Sequence, residues 1–187
     1  MKMNTIKLSV TASTLIFLLA FAQKEQPSET GIITKIFIIR HAERDPGFDP
    51  PLNREGQERA ELIKNILADS GITVIYCPDL IRNRQTAAPL ARHLNIKPDI
   101  IPFKILDNTR EVARYVKKQI WNKDLGKRIL FIGNQKGPGH QMGNIQEFYM
   151  AVGGENTPLT RYPDMHIVTL KDTTFIKSVR VIYGENL

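Results

Sequence analysis

The chain has 187 residues, 42% hydrophobic and 24% charged, with a formal net charge of +7 at pH 7 and a single cysteine. That length suits one domain with its own core, and the composition excludes a disordered chain or a multi-span membrane protein. The lone Cys77 excludes an intramolecular disulfide, and the positive balance favours anionic ligands.

Lys2 and Lys7 precede an apolar run, Leu8 to Ala22, ending in Ala20-Phe21-Ala22, the small-x-small pattern of a cleavage site. Residues 1–22 are therefore expected to be an export signal, making the mature chain periplasmic or secreted. The run is short and interrupted by Thr11, Ser13 and Thr14, which disfavours retention as an anchor and leaves no stable membrane span after cleavage. Gln23 rather than cysteine follows the expected cut, which disfavours lipidation. Without Lys2 and Lys7 the net charge of +7 becomes +5. Residues 23–33 read as a polar linker and 34–187 as the folded domain, with no internal repeat.

Within the domain, Ile36-Phe37-Ile38-Ile39 is a β-branched run suited to a buried strand that stops at Arg40-His41. Leu62, Ile63, Ile66 and Leu67 recur at helical spacing, with Asn53 as N-cap and Gly71 closing the far end. Thr73 to Cys77 reads as a strand, and Ala87, Leu90, Ala91 and Leu94 mark a second helix. An edge strand near Ile100 to Phe103, a helix carrying Val112, Val116 and Ile120, and a buried strand Ile129 to Ile132 follow. After a Gly-rich loop, Ile145, Phe148, Tyr149 and Val152 suggest a helix, then Ile167 to Leu170 and Val179 to Tyr183 close the chain as strands. This alternation implies a three-layer α/β sandwich: a mostly parallel central sheet, helices on both faces, and ligands at the carboxyl ends of the strands.

Arg40-His41 falls at such an end. An imidazole that attacks phosphorus must be neutral, with one nitrogen free and the other held by a hydrogen bond. Nearby cations disfavour the imidazolium, and a guanidinium offers a planar fork that matches two phosphate oxygens. Arg82 arrives just beyond the second strand, at the start of a helix whose N-terminal N–H groups also suit an anion. No His, Cys and carboxylate cluster has metal spacing, so neither a metal nor a cofactor is expected. The basic residues are dispersed and no nucleic-acid signature accompanies them, so nucleic acid is not an expected partner.

Three ordered stretches carry a resemblance: Ile39-Arg40-His41-Ala42-Glu43-Arg44, Asp49-Pro50-Pro51-Leu52-Asn53-Arg54-Glu55-Gly56, and Ile75-Tyr76-Cys77-Pro78-Asp79-Leu80-Ile81-Arg82-Asn83-Arg84-Gln85-Thr86-Ala87. Together they resemble the histidine phosphatase superfamily, which includes phosphoglycerate mutases and small exported or protein-directed phosphatases, over roughly Thr34 to Gly184. The resemblance implies a phosphoglycerate mutase-like fold, phosphorylation of His41, and phosphate binding by Arg40 and Arg82. It implies a metal-independent phosphomonoester hydrolase acting on a phosphorylated small-molecule or protein substrate. Nothing in the sequence sets an oligomeric state.

The family places a second histidine, usually preceded by glycine, directly after a later strand. Here Ile129 to Ile132 runs into Gly133-Asn134, and the next histidine is His140 in Gly137-Pro138-Gly139-His140. Either a short insertion displaces the motif so that His140 is the second catalytic histidine, the preferred alignment, or Asn134 holds the position and donates a neutral hydrogen bond. The second case leaves open a catalytically impaired protein that binds an anionic ligand or partner. The general acid stays unassigned among Glu43, Asp107 and Glu111. His93 and His166, Arg84, Cys77, and the Arg110, Arg114, Lys117 and Lys118 face read as structural or solvated residues.

Overall fold

The computed structural model describes residues 30–136, 142–156 and 161–184, and the fold is built from Ile32 onward. The expected signal, residues 1–22, and most of the linker lie outside the described residues. No helix among the described residues is long and apolar enough to cross a membrane.

Six strands form one sheet in the order β3-β2-β4-β1-β5-β6. β1 is Ile33–Arg40, β2 Val74–Pro78, β3 Asp99–Ile101, β4 Arg128–Gly133, β5 Asp164–Lys171 and β6 Thr174–Ile182. The first four run parallel, while β5 and β6 form an antiparallel hairpin at the β1 side, turning at Asp172 in the left-handed region (φ 55°). β1 and β4 are buried on both faces, which is why each reads as a continuous apolar run rather than an alternation.

Helices α1 (Arg54–Leu67) and α2 (Ile81–Leu94) cover one face, packing Ile63, Leu67, Ala87 and Leu90 on Phe37, Ile39, Ile75 and Leu130. Helices α3 (Thr109–Gln119) and α4 (Asn144–Ala151) cover the other, packing Val112, Val116, Ile145 and Phe148 on Ile36, Ile38, Tyr76 and Phe131. The arrangement is the expected three-layer sandwich. Adjacent parallel strands β1 and β4 send their following helices to opposite faces, so a crevice opens at their carboxyl ends.

Asn53 caps α1, its side chain accepting from Gly56 N at 2.9 Å. The helix stripe departs from expectation: Ile66 is 43% exposed and Arg59 is buried in its stead. The cause is an ion pair, since Arg59 Nε reaches both Glu43 carboxylate oxygens at 2.5 and 2.7 Å. The helix also ends at Leu67, before Gly71. A Cβ at Gly56 would collide with the Glu43 backbone, so glycine lets the start of α1 press against the chain just past His41.

Candidate active site

β1 delivers His41 to the crevice, where its backbone N–H donates to Gly133 O at 3.0 Å and ties the ends of β1 and β4 together. The residue is only 3% exposed, and Nδ1 lies 2.7 Å from Ala42 O. A carbonyl only accepts, so Nδ1 carries the proton and Nε2 keeps its lone pair. Burial drives the His41 pKa from 6.5 to about 3; the Ala42 hydrogen bond opposes this, while Arg40, Arg82 and Arg44 add to it. The ring is neutral at pH 7 with one nitrogen available for attack.

Arg82, in the first turn of α2, is fixed relative to His41 through Thr86. The Ala42 N–H donates to Thr86 Oγ1 at 2.9 Å, and that hydroxyl donates to Arg82 O at 2.7 Å. Arg82 Nη1 donates to Asp49 Oδ1 at 2.8 Å, and the Asp49 carboxylate also accepts from Ile81 N at 3.0 and 3.1 Å. The helix start, expected to meet an anion directly, therefore already has this N–H capped by a side chain from the 44–52 loop. That loop is pinned further by the Arg44–Leu52 bridge, by Leu52 N donating to Gln85 Oε1 at 2.7 Å, and by Arg44 Nη1 donating to Asp45 O and Gly47 O at 2.8 and 3.2 Å.

Arg40 precedes the histidine and carries its guanidinium carbon 3.9 Å from the centroid of the Tyr162 ring. The same ring stands edge-on to His41, with centroids 6.0 Å apart. Arg40, His41 and Arg82 thus gather at one end of the sheet, with Arg44 near enough to act on all three electrostatically.

Asn134 follows β4 directly and is 8% exposed. Its N–H donates to Asn144 Oδ1 at 2.7 Å, while its own Oδ1 is buried with no hydrogen-bond partner among the described residues. His140 lies outside the described residues, in the segment between Lys136 and Met142, whose backbones bridge each other.

Glu43 is consumed by Arg59. Asp107 and Glu111 are exposed near the start of α3; Asp107 lines a cleft of about 490 Å³ with Arg110, Met142 and Glu147. Arg84 pairs with Asp79 away from His41, and His93 is exposed late in α2. His166 is buried in β5, its Nδ1 3.4 Å from Ser178 Oγ. Cys77 is fully buried, and burial pushes its thiol up to about 12, which suits packing and not nucleophilic attack. Among the described residues no group of three or more His, Cys, Asp or Glu is placed to hold a metal. The cations supplied to the crevice are guanidiniums.

Sequence reasoning missed Asp49, Thr86 and Tyr162. The first two sit inside the quoted stretches without a role, whereas Tyr162 lies in a turn with no motif at all.

A family model described as histidine phosphatase superfamily (branch 1) matches residues 36–114. A probable phosphatase of Schizosaccharomyces pombe is 33% identical over 85 residues, 41% of this chain and 39% of that protein. A PE-PGRS family protein of Mycobacterium tuberculosis is 44% identical over 54 residues, 28% of this chain and 9% of that protein. The chain thus spans well under half the length of either curated relative. The protein histidine phosphatase SixA complexed with tungstate superposes with a TM-score of 0.59 at 21% identity, covering 77% of this chain and 95% of that one. At that identity the likeness is one of fold.

Proposed function

We propose that this chain, whose residues 36–114 match the histidine phosphatase superfamily, is a member of that family and hydrolyses phosphomonoesters without a metal by passing the phosphoryl group through His41. The observation that carries the reading is the buried imidazole held by Ala42 O and surrounded by guanidiniums, neutral with Nε2 free. In the first step the Nε2 lone pair forms the N–P bond while the P–O bond to the leaving group breaks. Arg40 and Arg82 hold the non-bridging oxygens and offset the charge that builds on them. In the second step water attacks the phosphohistidine, the N–P bond breaks, and phosphate leaves with His41 restored.

The test is release of phosphate from a chromogenic ester in the presence of a chelator, with an acid-labile phosphoryl label on the protein. His41→Ala should abolish both; equal turnover by that variant rules the mechanism out. The SixA neighbour is a protein histidine phosphatase, so a phosphorylated protein histidine belongs in the assay beside small phosphomonoesters.

A second reading follows from Asn134, a carboxamide where the family resemblance expects an imidazole: a binder of anions that has lost turnover. It requires orthophosphate binding that depends on Arg40 and Arg82 with no hydrolysis of any ester. Export forms part of the first proposal and rests on the run from Leu8 to Ala22. Mass spectrometry of the protein recovered from the periplasm or medium should find Gln23 at the N-terminus, and an intact Met1 would overturn it.

A further inference from the structure

Tyr162 lies 122 residues downstream of Arg40 in sequence, yet its ring face stands 3.9 Å from the Arg40 guanidinium carbon. A guanidinium radiates its N–H donors within its own plane. A ring face on one side limits its swing, with the cation–π attraction holding the pose.

The ring can act as a clamp because its own turn is anchored. The Tyr183 hydroxyl donates to Tyr162 O at 3.2 Å, and Tyr183 N donates to Pro163 O at 2.9 Å. Asp164, 1% exposed, accepts from Arg180 at 2.8 to 3.2 Å and from Arg161 N at 3.3 Å. Arg59 Nη1 then donates to Tyr183 O and Gly184 O at 3.5 and 3.1 Å while its Nε holds Glu43. The contacts run from Glu43, two residues past His41, through Arg59, Tyr183 and Tyr162 back to Arg40, one residue before it.

We infer that Tyr162 is a positioning residue of the phosphate site, holding Arg40 in the pose that meets a phosphate at His41. The inference rests on the phosphatase reading above, and binding separates the two. Orthophosphate affinity is measured by calorimetry for the wild-type chain, Tyr162→Ala, Tyr162→Leu, Tyr162→Phe, Arg40→Ala and the Arg40→Ala/Tyr162→Ala pair, with melting temperature alongside. Tyr162→Ala and Tyr162→Leu should each weaken binding about three- to thirtyfold. Phe, which keeps the π face, should restore it, and in the Arg40→Ala background the tyrosine should no longer matter. Leu keeps apolar volume without the π face, so a loss shared by Ala and Leu, and absent in Phe, is not a packing effect.

The inference is overturned if the Leu variant, folded, binds as wild type does, or if Tyr162→Ala costs as much without Arg40 as with it. Binding by wild type without any ester hydrolysis would sink the hydrolase reading alone, and the same affinities would still decide the tyrosine. Failure of wild type to bind orthophosphate would remove the phosphate site and both claims with it.

Discussion

The ends of β1 and β4 lie side by side, paired at Arg40 and Gly133, and they make unlike contributions to one crevice. At the β1 end three groups are committed: His41 Nδ1 to Ala42 O, Ala42 N to Thr86, and the Glu43 carboxylate to Arg59. At the β4 end Asn134 keeps a buried carboxamide oxygen with no partner among the described residues. Under the proposed mechanism the nucleophile thus stands beside a carboxamide, and either Asn134 or His140 takes the second-histidine role. On the proposed reading, the difference assigns attack and phosphate binding to residues of β1 and α2, with the β4 side adjusting the rate.

His41→Ala tests the first half most harshly. With the nucleophile gone, kcat should fall by at least about three orders of magnitude; a loss of tenfold or less would mean that another group attacks. Arg82→Ala should cost about a hundredfold or more in kcat/KM, the scale for removing a charged donor from a developing oxyanion. It also frees Asp49 from its pair, so restoration of activity by Asp49→Asn in that background would show repulsion, not lost binding, to be the larger part.

The same comparison has a stability side. Glu43→Ala leaves the nearly fully buried Arg59 guanidinium with only the longer Glu55 pair at 3.8 Å and two backbone carbonyls. The expected loss is about 3–5 kcal/mol, well above that for an exposed, solvent-screened pair such as Arg54–Glu58. Urea unfolding measures both, and equal values would remove the claim that this pair braces the loop after His41. On the β4 side, Asn134→Ala should lower kcat no more than about tenfold if it gives one neutral hydrogen bond, and Asn134→His should raise it. His140→Ala, assayed in parallel, decides between the two alignments: a loss far exceeding that of Asn134→Ala makes His140 the second catalytic histidine.

How much of this could be read in advance depended on distance along the chain. β1, β4 and α2 were legible because a parallel strand buried on both faces leaves an uninterrupted apolar run, and because helix α2 shows its stripe at Ala87, Leu90 and Ala91. Arg40 and His41 were legible for the same reason, since they follow the run Ile36 to Ile39 directly, whereas Arg82, five residues past Cys77 and five before Ala87, was legible through the stretch that carries the resemblance. Tyr162 was not, since its place is set by the antiparallel return of β5, which aligns Met165 with Ile39. Apolar spacing carries no mark of strand direction or register. Arg59 was invisible for another reason, because a charged residue on a helix reads as solvated until its partner, Glu43, is known to be beneath it.

The smallest effect is also the most direct probe of the proposed nucleophile. His41 is ordinarily half-protonated at 6.5 and in the fold only near 3. Above pH 6.5 the folded and unfolded chains both hold it neutral, so it adds nothing to the pH dependence of stability there. As pH falls from 6.5 toward 3 the unfolded chain takes up a proton that the fold refuses, and stability declines across that window and no further below it. Burial is the leading cause and Arg44 the weakest of the three arginines, so Arg44→Met should raise the His41 titration midpoint by less than about one unit, still well below 6.5. Nitrogen NMR of the labelled imidazole reads that midpoint and the tautomer together. Titration near 6.5 in the wild-type chain would remove the claim that burial holds the ring neutral, and a proton on Nε2 at pH 7 would leave the attacking nitrogen without its lone pair and the site without its nucleophile.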